Sequence, residues 1–152
     1  MAGCHANGRT LAIGLAAMFA ATGLTAQPAL AQQADSPFHW QPAADDGQPH
    51  PWAILLPGGG GMAVFQDTDH YYRWARWLNA RGIDVLLVDH VTSRDALAIE
   101  GESQGQWQAR LAVQALEQQR ALGRMDGRCK GMVIGWSLGG EGALTLASLD
   151  AP

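Results

Sequence analysis

The stretch VIGWSLGGEGAL, Val133 to Leu144, decides how this chain is read. Ser137 stands between Gly135 and Gly139 in the pattern G-x-S-x-G, directly after a short apolar run and directly before a helical one. A strand that turns sharply into a helix at a serine lifts the hydroxyl clear of the sheet. The two glycines have a steric reason: in so tight a turn a side chain at either position would collide with neighbouring backbone. The turn also aims the Leu138 N–H and the positive end of the helix at one point, where a negatively charged oxygen could be held. Ser137 is thus the candidate catalytic residue, and Leu138 a candidate oxyanion donor.

Such a site wants a second donor from the loop after an earlier strand. Trp52 to Leu56, WAILL, is a short apolar run closed by Pro57 and four glycines, which is how a buried strand ends in a turn. Without a Cβ in the way, Gly59 or Gly60 can turn a bare N–H toward Ser137. A rival reading takes Gly58 to Ala63, GGGGMA, as the G-x-G-x-x-A fingerprint of a nucleotide-binding Rossmann-like protein, with Asp89 as the ribose acid. Two features oppose it. VFQDTD follows where a helix should open, and Asp89 lies 28 residues beyond Gly61 instead of about 20. A third possibility is a non-catalytic α/β protein.

Between these two turns the chain alternates strand and helix. Asp67 or Thr68 can cap a helix on which Tyr71, Trp74, Trp77 and Leu78 form one apolar stripe, ending at Gly82. Ile83 to Val88, IDVLLV, is apolar enough to be a strand buried on both faces. A polar loop runs from Asp89 to about Ser103. The next helix carries Trp107, Leu111, Ala115 and Leu122 on one side and stops at Gly123. Gly131 to Trp136 is the third strand. Parallel strands need crossover connections, and each helix supplies one, so the fold class is α/β, a three-layer sandwich with a parallel sheet. Ligand sites in such sheets lie beyond the carboxyl ends of the strands, here Pro57–Met62, Asp89–Arg94 and Trp136–Gly139.

The 152 residues carry a formal net charge of −4 and no Lys/Arg run, which excludes nucleic acid as the expected partner. Residues 1–31 have the form of a secretory signal peptide. A weakly positive start with Arg9 precedes the apolar Leu11 to Ala26, and Ala29 to Ala31 is an A-x-A cleavage site. The expected location is therefore secreted or periplasmic, with no stable membrane span after cleavage. Residues 32–51 are a polar lead-in with room for a short edge strand near Phe38 to Gln41, and residues 52–152 form the α/β unit. The cleaved chain keeps one cysteine, Cys129, read as a spare thiol in a turn. No metal-ligand spacing is found among the histidines, and no metal or cofactor is expected. Asp67, Asp69 and His70 are better explained by helix capping, with His70 facing solvent.

Three blocks in order, ILLPGGGGM (54–62), YYRWARWLNARGIDVLLVDHVTSRDA (71–96) and GWSLGGEGAL (135–144), resemble the dienelactone hydrolase family of α/β-hydrolases. The resemblance runs from about Trp52 to Leu149. It implies a serine esterase that cleaves small-molecule ester or lactone substrates through an acyl-enzyme on Ser137, with Leu138 and Gly59 or Gly60 as oxyanion donors. The founding enzymes carry Cys at the nucleophile position, and relatives usually have His where this chain has Pro57. Ser93 and Arg94 fall on a loop that borders the substrate in relatives. Arg94 could grip a substrate carboxylate in bidentate fashion, and Trp136 adjoins the nucleophile as a candidate substrate contact. The family order is serine, then acid, then histidine. After Ser137 come only Glu141 and Asp150 and no histidine; His90, after the second strand, is the local candidate for a base. The resemblance thus implies an incomplete α/β-hydrolase fold, inactive alone, whose acid and histidine would follow residue 152.

Overall fold

A computed structural model describes residues 36–91 and 100–149. The signal-peptide reading of residues 1–31, together with Ser93 and Arg94, lies outside the described residues. In chain order the elements are β1 (Phe38–Gln41), β2 (Trp52–Leu56), α1 (His70–Asn79), β3 (Asp84–Val88), α2 (Gln104–Ala121), β4 (Gly131–Gly135) and α3 (Leu138–Leu149). The α/β class is as expected. The sheet, with strand order β1-β3-β2-β4, is mixed rather than parallel. β3, β2 and β4 are parallel, whereas β1 pairs antiparallel with β3, Phe38 opposite Val88 and Gln41 opposite Val85. The lead-in joins the sheet with its backbone groups partnered by side chains there. The Ala43 N–H donates to Asp84 Oδ1 at 2.8 Å, and Asn79 Nδ2 donates to the Gln41 carbonyl at 2.9 Å.

The strands alternate between two cores, as the period of two requires. Ala53, Leu55, Val85 and Leu87 pack with Tyr71, Ala75 and Leu78 of α1. Ile54, Leu56, Leu86 and Val88 pack on the opposite side with Trp107, Leu111, Ala112 and Ala115 of α2, and Ala143 and Leu146 of α3 join them. Every residue of β3 is buried, as its apolar run implies. The helix stops are local: Gly82 and Gly123 adopt φ of +71° and +68°, which a side chain would resist.

Four expectations need correction. On α1 the buried face is Tyr71, Ala75 and Leu78, at i, i+4 and i+7. Trp74 and Trp77 lie on the flank, 41% and 49% exposed. The N-cap is Asp69, whose side chain makes no capping bond. Leu122 sits at the C-cap of α2 and is exposed, because the helix ends before its face returns to the sheet. Cys129 is buried and disulfide-bonded, not a spare thiol.

Candidate functional site

Because β2, β3 and β4 are parallel, the loops after them open at one end of the sheet. At the end of β4 the Trp136 N–H donates to the Leu56 carbonyl at 3.1 Å, so the chain stays against β2 until the turn begins. Ser137 then takes φ of +52°, a left-handed conformation that costs a non-glycine residue about 1–3 kcal/mol and needs surrounding structure to enforce it. The glycines do what the sequence reading requires. A Cβ on Gly135 would lie 2.0 Å from the Gly139 carbonyl oxygen, and one on Gly139 would lie 2.1 Å from the Leu56 oxygen. The turn closes with the Gly139 and Gly140 N–H groups donating to the Trp136 and Ser137 carbonyls, each at 2.8 Å. Leu138 opens α3, so its N–H is one of the first-turn donors with no partner inside the helix.

The glycine loop lies against this turn. A Cβ on Gly58 would sit 3.4 Å from Ser137 Cβ, and one on Gly59 would sit 2.7 Å from Leu138 Cδ1. Gly58 and Gly59 thus meet the serine turn at Ser137 and Leu138, whereas the near neighbour of Gly60 is the Ala63 carbonyl of its own loop. Gly61 closes the loop by donating its N–H to the Gly58 carbonyl at 2.9 Å, at φ of +72°. The loop does not open a helix: a turn bridged between Val64 and Asp67 intervenes before α1 at His70. Such an arrangement can stabilise an oxyanion forming beside Ser137 Oγ.

Two further side chains reach the loop, and neither stood out in the sequence. The Gly58 N–H donates to the Tyr71 hydroxyl at 3.0 Å, and Gln108 Nε2 donates to the Pro57 carbonyl at 3.3 Å. Tyr71 reads as one more apolar residue of the α1 stripe, and Gln108 as one of many glutamines in α2. No periodic signal shows that either side chain reaches the loop.

Trp136 is half-buried in an aromatic cluster, its ring centroid 5.2 Å from that of Tyr71, 6.0 Å from Trp74 and 6.3 Å from His70. His70 is accordingly half-buried against rings rather than solvent-facing. A cleft of about 420 Å³ opens beside it, lined by His70, Arg73, Trp74 and Trp77. Asp67 and Asp69 are engaged by arginines. The hydrogen bond from Arg73 holds the Asp67 carboxyl below its usual range, and that from Arg76 does the same for Asp69. His90 is buried with its ring edge-on to Trp107 at 5.5 Å, on the α2 side of the sheet. Among the described residues no group of three His, Cys, Asp or Glu could hold a metal ion, and no helix is long and apolar enough to cross a membrane.

Compared with protein-family models and with curated proteins, the chain matches none. The functional reading therefore rests on the residues and their geometry.

Proposed function

We propose that this chain belongs to an exported serine hydrolase, similar to the dienelactone hydrolases, that cleaves small ester or lactone substrates through an acyl-enzyme on Ser137. The observation that carries the reading is the left-handed φ of +52° at Ser137, held between two glycines neither of which has room for a Cβ. That strained conformation is what an exposed nucleophile on a strand-to-helix turn requires. Helices on both faces of the sheet support the three-layer α/β-hydrolase arrangement.

In this mechanism Ser137 Oγ attacks the substrate carbonyl carbon. The carbonyl oxygen becomes an oxyanion facing the Leu138 N–H and that of Gly59 or Gly60. Collapse expels the leaving alcohol, which takes up a proton, and leaves the acyl group on Oγ; water then releases the acid. Trp136 and Arg94 are the proposed substrate contacts. A serine hydroxyl is a weak nucleophile until a base takes its proton, and residues 138–152 contain no histidine. The chain by itself should therefore be slow. In a serine protease stripped of its triad, binding and the oxyanion hole still leave roughly 10³–10⁴-fold acceleration over water.

The test is hydrolysis of short-chain p-nitrophenyl esters, with fluorophosphonate labelling alongside, in the chain and in Ser137→Ala. Slow turnover and slow labelling, both lost in the variant, are expected. Equal rates in the two proteins would remove Ser137 from the mechanism. Tight binding of a dinucleotide would favour the Rossmann-like reading instead.

A further inference from the structure

Pro57 C=O and Gly58 N–H belong to one peptide group, and a buried side chain holds each end of it. Tyr71, on α1, lies on one face of the sheet and accepts the Gly58 N–H at 3.0 Å. Gln108, on α2, lies on the other face and donates to the Pro57 oxygen at 3.3 Å. We propose that Tyr71 and Gln108 are positioning residues that together lock the Pro57–Gly58 peptide plane and so aim the Gly59 and Gly60 N–H groups at Ser137. The inference rests on the reading of Ser137 as a nucleophile and adds two residues to its site.

The energetics of Gln108 argue for a role beyond stability. It is 1% exposed, and its Oε1 has no hydrogen-bond partner among the described residues. An amide buried with one of its groups unpaired costs more than an apolar side chain of the same size would. Its surroundings are nevertheless built around it. A Cβ on Gly142 would lie 2.9 Å from both Gln108 Cβ and Oε1, so α3 carries a glycine where Gln108 passes. What the amide accomplishes is the bond to Pro57. The same loop lies under the elbow, where a Cβ on Gly139 would meet the Pro57 oxygen at 2.7 Å. A rotation of this one peptide would shift the glycine donors and the floor of the turn together. Misplacement of this kind weakens a preorganised oxyanion site without touching the nucleophile.

The experiment uses the whole chain with Tyr71→Phe, Gln108→Met and Gln108→Glu. It measures amide hydrogen exchange at Gly59–Gly61 against Val85–Val88 of β3, and the rate of fluorophosphonate labelling at Ser137. Loss of either bond should speed loop exchange and slow labelling, each by roughly 3–10-fold, with β3 exchange unchanged. Gln108→Glu supplies the readout that a packing role would not move. Its neutral acid can donate to Pro57 and its carboxylate cannot, so labelling should be near the parent rate at low pH and lag increasingly behind the parent's as pH rises. Unchanged loop exchange in Tyr71→Phe and Gln108→Met would overturn the lock, whatever Ser137 does. Exchange rising equally in loop and β3 would reduce the two residues to general stability and overturn it too. Selective loop loosening with unchanged labelling would overturn their positioning role. A parent chain in which Ser137 is never labelled would count against the hydrolase reading, and the exchange measurement would still decide the lock.

Discussion

At the scale of single residues, the glycines of GWSLGGEG are not equivalent, and their differences are measurable. Gly135 and Gly139 face backbone carbonyls at 2.0 and 2.1 Å from a would-be Cβ, and backbone can give way only by dismantling the turn. Gly140, by contrast, has its nearest neighbour at 3.7 Å, an ordinary contact. Gly139→Ala should destabilise the protein by at least about 1–3 kcal/mol, the usual cost of overpacking. Gly140→Ala sits inside a helix and should be neutral or stabilise by up to ~1 kcal/mol. Urea unfolding of the two variants checks this, and similar midpoints would show that the turn is looser than its geometry implies. The pattern G-x-S-x-G names the two restrictive glycines correctly; the third, Gly142, owes its place to Gln108 on another helix.

At the scale of elements, the turn between Val64 and Asp67 carries a local conflict. Their backbones exchange two hydrogen bonds, 3.0 and 2.9 Å, across a two-residue connection. Its central residues Phe65 and Gln66 have φ of +48° and +70°, which side chains resist, and Phe65 is fully exposed. Asn-Gly is the pair that such a turn prefers. Replacing Phe65→Asn and Gln66→Gly together should stabilise the fold by roughly 1–2 kcal/mol, since each left-handed residue costs about 1 kcal/mol or more and asparagine keeps part of that cost. A thermal melt that stays put or falls would argue that Phe65 has contacts in solution that offset the strain.

The lead-in has its own pH-dependent tie. His50 bonds Asp46 at 2.9 Å and Asp84 at 3.3 Å, and these carboxylates, Asp46 foremost, raise its pKa above 6.5. A raised histidine pKa means that the protonated form is favoured in the folded state. The tie is complete below the unfolded value of about 6.5 and is lost as pH rises through the folded one. Stability should therefore decline above that pH, and His50→Gln should flatten the decline. Identical pH profiles for the two proteins would show that the tie contributes nothing.

At the scale of the whole molecule, β4 borders the sheet among the described residues, and its outer side is undefended. The strand reads GMVIG, with no charge and no proline, and Met132 is 42% exposed. Its inner side is well matched: the Trp52 ring lies across Gly131, where a Cβ would meet it at 2.1 Å. An apolar edge with unpaired N–H and C=O groups invites pairing with other chains. A chain whose sheet stops at β4 should self-associate, and Met132→Lys should shift it toward monomer in sedimentation velocity. A monodisperse parent that melts cooperatively would contradict this.

The sequence by itself determined what is local. Apolar runs became β2, β3 and β4 because a five-residue stretch of Val, Leu and Ile flanked by glycine or proline has few other uses. Gly82 and Gly123 ended helices because only glycine enters the left-handed region cheaply. The serine turn and the glycine loop were legible for the same reason: each is specified by residues a few positions apart. Tertiary structure alone decided the rest. It set β1 antiparallel beside β3, through bonds from Asp84 and Asn79 that join segments about 40 residues apart. It chose Ala75 over Trp74 and Trp77 for the sheet face, since a stripe of helical spacing has more than one possible centre. It also brought Tyr71 and Gln108 to the two ends of one peptide. Nothing in a helix's own period reveals which of its polar atoms will meet a loop 13 or 51 residues away, because that depends on where the sheet puts the helix.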